Sequence, residues 1–383
     1  MTTVVVSPHH VASFPEGGGH FWVYMQYVLG LRQLGCQVYW LEQFDLDLDT
    51  EQGRTALHTF SERMRKFDMH GNFILYSTEK DSDQLKFVGY ESEEVEAIFR
   101  QTDLLLNFHY AASSKILECF KRTALVDIDP GLLQFWISHN QLNVQPHDLY
   151  FTIGETVGTS RALFSDCGLK WFQIRPVVNL DAWPFTYRPE AQSLTSISTW
   201  EIEDWVVGEN EAYYENSKRI NYLRFASLPQ SLEQELELAV YMTDEDADER
   251  SLMESGGWKI RLSREAAGTP ERYQSYIQAS RGEFSVVKPS CIFFQNAWMS
   301  DRSLCYLSSG KPVVVQNTGP STYLPDGEGL LRFSEAAQAV AAIETINRSY
   351  LHHCQAARQI AEEYFDSRKV LSELLNRAIG VKR

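Results

Sequence analysis

The sequence predicts an α/β fold made of two doubly wound halves, and three observations carry that prediction. Short apolar, β-rich runs alternate with helical patterns along the whole chain. Polar and glycine residues gather at the carboxyl ends of those runs, where open parallel sheets bind ligands. The alternation breaks once, in the proline-containing stretch 175–192, and then restarts. The totals agree with this. A chain of 383 residues is about two domains' worth, and 44% hydrophobic with 22% charged residues suits a large core.

The first half opens with a short β-rich run, Thr3–Ser7. A loop follows with Pro8, His9, His10, Pro15 and then Glu16-Gly17-Gly18-Gly19-His20. The spacing predicts a helix over 20–34, closed by Gly35, and a strand over 37–41. Three glycines let backbone amides approach a ligand and turn the helix's amino end toward it. The loop lacks the G-x-G-x-x-G spacing, and Glu42 is the nearest acid at the second strand's end, so a dinucleotide fingerprint is absent. A helix over 51–67, a strand over 73–76 and an acidic helix over 91–101 come next. A strongly apolar strand over 103–108 ends in Asn107-Phe108-His109-Tyr110. A short helix leads to a strand over 124–127, which runs into Asp127-Ile128-Asp129-Pro130-Gly131. A strand over 149–152 ends in Gly154-Glu155.

After the break, the pattern predicts a strand over 194–198, a helix over 216–227 and strands over 236–241 and 258–262. A helix over 270–281 and a strand over 284–287 follow. The acidic run 243–250 lacks the glycine and terminal glutamate of a calcium loop and reads as a solvated helix start. The stretch 300–319 is the most informative. Leu304 and Leu307 give a helix one apolar side, and Gly310 suits the left-handed stop. Pro312 cannot continue a helix, and Val313-Val314-Val315 is a buried strand. Asn317-Thr318-Gly319 stands at that strand's carboxyl end. A strand over 329–333 and helices over 334–346, 349–364 and 367–379 complete the chain.

Net charge is 35 − 51 = −16, which argues against nucleic acid or an anionic membrane surface as the main partner. A local basic pocket is compatible with it. The six cysteines form no Cys-x-x-Cys pair, so they read as reduced thiols rather than a disulfide framework or a zinc site. No basic n-region or apolar h-region opens the chain, and no run approaches the ~20 apolar residues that span a bilayer. A cytoplasmic protein is the expectation. Aromatic content of 13% is high and is assigned mainly to the core.

Several segments resemble the family-4 type of GT-B glycosyltransferase. Leu304-Cys305-Tyr306-Leu307-Ser308-Ser309-Gly310-Lys311-Pro312-Val313-Val314 is similar to that family's x-E-x-x-A-x-G-x-P-V-V segment. Gly327-Glu328-Gly329-Leu330-Leu331 resembles its G-x-G-L-L strand, and Val177-Val178-Asn179-Leu180-Asp181 resembles the end of its N-terminal domain. The resemblance covers most of the chain in layout. It implies two Rossmann-like domains facing across a cleft: residues 1–180 for the acceptor and 190–365 for a nucleotide diphosphate sugar such as a UDP-sugar. Residues 366–383 would form a C-terminal helix packing back on the first domain. No separate cofactor and no metal are implied.

The pattern departs where the family's two glutamates fall, on Trp298 and Cys305. Asp301, one turn before Cys305 on the same helix face, has two readings: it takes the donor ribose in their place, or it caps the helix with Ser300. The implied donor set is Gly18, Gly19, Lys218, Lys288, Asp301, Arg302, Ser303, Thr318 and Gly319. Arg302 has Glu283 as its alternative partner, and Arg219 and Arg224 flank Lys218 as further cations. Gly19-His20 resembles the Gly-His of inverting family-1 glycosyltransferases. There the histidine is the general base, so His20 is the candidate base, with Asp127 or Asp129 as its orienting carboxylate. Its other reading is a helix cap or ligand contact. His10, His109, Asp129 and Glu155 are expected on the acceptor side, with His9 nearby. The implied activity is sugar transfer, of a hexose by expectation, to a small-molecule or glycan acceptor. The alternatives are a sugar-nucleotide epimerase, a non-catalytic binding protein that lost both glutamates, and a nicotinamide dehydrogenase.

Overall fold

The computed structural model describes residues 1–78, 85–201, 205–207 and 213–380, with 205–207 and 213–214 as backbone alone. The first sheet has eight strands: β1 (Thr3–Ser7), β2 (Gln37–Gln43), β3 (Phe73–Thr78), β4 (Leu85–Val88), β5 (Leu104–Asn107), β6 (Thr123–Asp127), β7 (Leu149–Thr152) and β8 (Trp171–Gln173). Their spatial order is β4-β3-β2-β1-β5-β6-β7-β8. Every neighbouring pair is parallel except β3 and β4. The second half holds β9 (Ser193–Thr199), a small hairpin β10 (Trp205–Val207) and β11 (Tyr213–Glu215), then β12 (Glu235–Tyr241), β13 (Lys259–Leu262), β14 (Gly282–Ser285), β15 (Val313–Gln316) and β16 (Leu330–Phe333). The six-stranded sheet runs β13-β12-β9-β14-β15-β16, parallel throughout. This is the GT-B architecture, two Rossmann-like sheets facing across a cleft.

The central strands explain themselves. Val4–Val6, Leu104–Leu106 and Val313–Val315 are apolar at every position because helices cover both sheet faces, and all nine side chains are buried. Several elements escaped the sequence pattern, the β10–β11 hairpin and the Ser263–Ala267 and Pro289–Phe294 helices among them. β4 and β8 are edge strands with partial alternation, and Leu132–Ser138 is a two-turn helix. The expected helix over 349–364 is interrupted. It is α-helical over Tyr350–Ile360 and π-helical over Ala361–Phe365. The helix expected over 216–227 is only Arg219–Arg224, followed by a 3₁₀ turn at Leu228–Ser231.

Strand order fixes where a ligand can sit. In the first sheet the winding direction reverses between β1 and β5, and in the second between β9 and β14. At such a reversal the connections leave in opposite directions and open a crevice beyond the strand ends. His9 and His10 follow β1, and Phe108 and His109 follow β5. Ser198 and Thr199 end β9, and Lys288 follows β14.

The Gly18–Gln33 helix binds the halves together. Trp22 Nε1 donates to Pro270 O at 2.9 Å, and Gln26 Nε2 lies 3.6 Å from Cys305 Sγ. The Ser367–Ile379 helix packs on its far side, where a Cβ on Gly30 would come within 2.6 Å of Ser367 Cβ. The chain returns there through a bridge between Val178 and Asp366. Among the described residues no helix is long and apolar enough to cross a membrane.

Candidate active site

Two cavities lie along the cleft and share one wall. The larger, about 950 Å³, opens above β1 and β5. The smaller, about 570 Å³, opens above β9 and β14. His9, His20, Val23, Asp129, Trp298 and Asp301 line both. His20 and Val23 come from a single helical stripe. His20, Val23, Tyr24 and Tyr27 are spaced i, i+3, i+4 and i+7, which puts them on one face of the Gly18–Gln33 helix. That stripe was readable in the sequence.

The smaller cavity carries charges of both signs, with Glu16, Asp129 and Asp301 beside its cations, and is rich in backbone. Lys218, Lys288 and Arg302 line it, with Gly17, Gly18 and Gly19 at the helix's amino end and Ser198 and Thr199 at the end of β9. Burial, with Arg302 and Lys288 as like-charged neighbours, pushes the Lys218 pKa down to about 7, while Asp301 opposes the shift. A lysine so placed is ready to gain a proton when an anion arrives. Arg302 is committed elsewhere: its Nε meets Glu283 Oε1 at 2.8 Å and its Nη1 donates to Ile197 O at 2.8 Å. Of its two expected partners, glutamate wins, and the guanidinium lends only its field. Arg219 is likewise taken up, by Glu215, Glu249 and Glu201.

The larger cavity is mostly aromatic and aliphatic, with Tyr24, Tyr27, Phe108, Trp136 and Leu142 among its walls. Its polar groups cluster at the shared wall. His9 and His109 stack at 4.4 Å between ring centroids. Burial lowers the pKa of His9, His20 and His109, the last to about 4, and neighbouring histidines add to the effect. His20 Nε2 lies 2.7 Å from His9 O. A carbonyl only accepts, so Nε2 carries the hydrogen and the neutral ring keeps its lone pair on Nδ1.

Several expectations are corrected by this geometry. Asp127 does not orient His20. It is fully buried at the end of β6, where Oδ2 accepts from Gln134 Nε2 and Thr152 Oγ1, both at 2.8 Å, and Oδ1 accepts from Asp129 N at 3.0 Å. Burial raises its pKa to about 7, and these hydrogen bonds pull the other way. The Asp129 carboxylate reaches the shared wall instead, where Tyr110 OH donates to its Oδ2 at 3.3 Å. Glu155 does not line the larger cavity. It accepts from Ser321 Oγ and from Thr322 N and Oγ1, tying the halves together. His10 has a left-handed φ of 60° and lines the smaller cavity rather than the acceptor side.

On the donor side, Thr318, Gly319 and Ser303 line neither cavity. Thr318 Oγ1 donates to Trp298 O at 2.8 Å, and Gly319 N donates to Asn317 Oδ1 at 3.1 Å. They brace the segment that carries Trp298. That segment also crosses the cleft: Trp298 Nε1 donates to Ile128 O at 3.2 Å, Asn296 Nδ2 donates to Pro130 O, and Glu155 N donates to Asn296 O at 3.1 Å. Gln295 and Ala297 both sit at positive φ, 49° and 58°, which the tertiary contacts must enforce. The Ser303 hydroxyl is buried without a hydrogen-bond partner.

Gly18 and Gly19 do line the smaller cavity, but close packing is what demands glycine. A Cβ on Gly18 would come within 2.4 Å of the Ala267 and Thr269 carbonyl oxygens, and one on Gly19 within 2.6 Å of the Tyr273 ring. Cys305 faces Gln26 in the interface and is closed to the cleft. Asp301, one turn earlier on that face, emerges at the shared wall. Ser300 is the N-cap of the Asp301–Ser308 helix but makes no side-chain cap bond. Burial raises the Asp301 pKa, and Arg302 and Lys218 draw it back. Among the described residues, no group of three or more His, Cys, Asp or Glu side chains is arranged to hold a metal ion.

No protein-family model matches the chain, and no curated protein matches it in sequence. Solved structures do share its fold. An alpha-glucosyltransferase in complex with UDP superimposes with a TM-score of 0.62 at 10% identity, over 99% of both chains. An alpha-glucosyltransferase bound to UDP-glucose and DNA containing an abasic site gives 0.63 at 11%, over 98% of this chain and 99% of that one. HepE of Anabaena in complex with UDP and glucose gives 0.58 at 11%, over the whole of both chains. These likenesses establish the fold.

Proposed function

We propose that this protein is a glycosyltransferase that moves a hexose from a nucleotide diphosphate sugar, with UDP as the leading nucleotide, to an acceptor hydroxyl. One observation carries the reading: a cavity holding Lys218, Lys288 and the Gly17–Gly19 backbone at one switch point and an aromatic-lined cavity at the other meet at a wall bearing His20, Asp129 and Asp301. A donor and an acceptor seated separately, with their reactive ends at that wall, need this arrangement. The folds that share its layout include alpha-glucosyltransferases solved with UDP or UDP-glucose, and HepE solved with UDP and glucose. The donor half resembles family-4 enzymes in its Gly310-Lys311-Pro312-Val313-Val314 segment.

In this reading the diphosphate lies against Lys218, Lys288 and the Gly17–Gly19 backbone. Fixed cations and amides there stabilise the negative charge that grows on the leaving group. The acceptor oxygen forms a bond to the sugar's anomeric carbon. The bond from that carbon to the diphosphate oxygen breaks, and its electron pair leaves with the nucleoside diphosphate. The acceptor's proton goes to a group at the shared wall, where His20 Nδ1 and the Asp129 carboxylate are the available bases. Asp301 contacts the donor sugar rather than the ribose, because it stands at the wall both cavities share.

Thermal shift against UDP, GDP, TDP and NAD tests the reading. Stabilisation by a nucleoside diphosphate supports it, and stabilisation by NAD alone overturns it. A non-catalytic binding protein is the second reading, favoured by the absence of both family glutamates. It requires nucleotide binding with no release of UDP from any UDP-sugar.

A further inference from the structure

The larger cavity lacks the lysines and arginine of the smaller, and its walls restrict what can occupy it. At about 950 Å³ it stands at the large end of small-molecule pockets. Away from the shared wall its lining is almost wholly aromatic and aliphatic, and only His109 and Gln141 add a polar side chain other than tyrosine. Among the described residues that line it, none is a lysine or arginine. Two carboxylates, Asp129 and Asp301, stand at its inner end.

Each feature excludes a class. A nucleic acid or another phosphorylated acceptor needs cations along its backbone path, and here the nearest fixed charges are of the wrong sign. A glycan presents hydroxyls all round. Against the Phe108, Trp136, Leu142, Ile153 and Val177 walls its hydroxyls would have no side-chain partners, which weakens binding. An apolar or aromatic body loses nothing there and gains from the surface it removes from water. The polar groups lie where a single hydroxyl has to be received. The imidazoles of His9, His20 and His109 are held neutral by burial, and the buried phenols of Tyr24 and Tyr27 stay protonated. The inner end therefore offers hydrogen bonds with little positive charge.

We infer that the acceptor is an uncharged aromatic or apolar alcohol or phenol, bound body-first in the larger cavity with its hydroxyl at the wall shared with the donor site. This inference rests on the transfer reading for its role, but the class of ligand is testable by binding alone. Trp136 and Leu142 line only the larger cavity and are the specificity residues.

Calorimetric titration of the wild-type protein at pH 7 decides the matter. The probes are 2-naphthol and 4-biphenylmethanol as aromatic alcohols, maltose as a neutral glycan, and a short DNA duplex. The best aromatic alcohol should bind at least about tenfold more tightly than maltose or the duplex, a gap of about 1.4 kcal/mol. Leu142→Arg should weaken it by about tenfold or more, since it sets a charge against the apolar body of the ligand. Binding of UDP by the variant reports that it is folded. Tighter binding of maltose or the duplex overturns the inference. So does a failure of both aromatic alcohols to bind at millimolar concentration, or an unchanged affinity in a folded Leu142→Arg. If UDP binds and the aromatic alcohols do not, the acceptor class is wrong and the donor reading stands. If they bind and UDP does not, the transfer reading falls and the ligand class stands.

Discussion

Lys218 makes donor binding pH-dependent in a way that can be calculated. Its pKa in the empty site is about 7, lowered by burial and by its cationic neighbours Arg302 and Lys288. At pH 7 about half of the amines are charged, and at pH 9 about one in a hundred. An ammonium about 4 Å from a phosphate charge gains about 4 kcal/mol at an effective dielectric of 20, which lifts the bound-state pKa by roughly three units. The complex therefore holds its proton across the range in which the empty site loses it. Affinity should fall as pH rises above 7, by roughly 50-fold between pH 7 and pH 9. UDP-glucose is the ligand to use, because its diphosphate diester does not titrate there. Calorimetry in buffers of different ionisation enthalpy should show uptake of about half a proton at pH 7 and nearly one at pH 9. Lys218→Met should abolish the uptake and weaken binding by about 10- to 100-fold at pH 6.5, a part of that Coulomb term. Equal affinity at pH 7 and pH 9 with no proton uptake refutes the placement of the diphosphate at Lys218. So does a Lys218→Met variant that keeps both properties.

Three further outcomes follow from the packing. Glu283→Ala leaves the buried Arg302 without its carboxylate and should cost about 3–5 kcal/mol in urea unfolding. Glu283→Ala within 1 kcal/mol of wild type would mean that Ile197 O alone compensates the charge. Gly18→Ala forces a Cβ to 2.4 Å from two carbonyl oxygens of the other half, so it should lower both thermal stability and donor affinity, and a variant that keeps both contradicts the close packing. Glu42 and Asp127 both have folded-state pKa values raised to about 7 by burial, from ordinary values of 4.5 and 3.8. The folded state binds more protons than the unfolded between about pH 4 and 7, so each group's contribution falls as pH rises through that window, at up to about 1.4 kcal/mol per pH unit. Asp127→Asn should flatten the slope of stability against pH, and an unchanged slope contradicts the assignment.

Much of the fold was legible because parallel strands buried on both faces leave uninterrupted apolar runs. Val4–Val6, Leu104–Leu106 and Val313–Val315 could hardly be anything else. The edge strands Leu85–Val88 and Trp171–Gln173 were missed because one exposed side dilutes the pattern. Among site residues, His20, Asp129, Lys218, Lys288 and Asp301 lie together in the cleft because strand ends and helix starts gather there. Three other candidates also sit near strand ends, but their groups are taken by neighbours that sequence does not reveal. Asp127 is held by Gln134 and Thr152, Glu155 by Ser321 and Thr322, and Thr318 by the Trp298 carbonyl. Gly18 and Gly19 read as a phosphate loop, and only the opposing Ala267, Thr269 and Tyr273 show that close packing also requires them. Composition could not reveal the aromatic cavity, since core and pocket draw on the same residues.

The account turns on transfer at the wall shared by the two cavities. The most direct test is UDP released from UDP-glucose with and without an aromatic alcohol, compared across wild type, His20→Ala and Asp129→Asn. The account predicts acceptor-dependent release by the wild type and a loss of about 100-fold or more in at least one variant, with UDP affinity within about twofold of wild type. Absence of acceptor-dependent release from any UDP-sugar, or full activity in both variants, contradicts it.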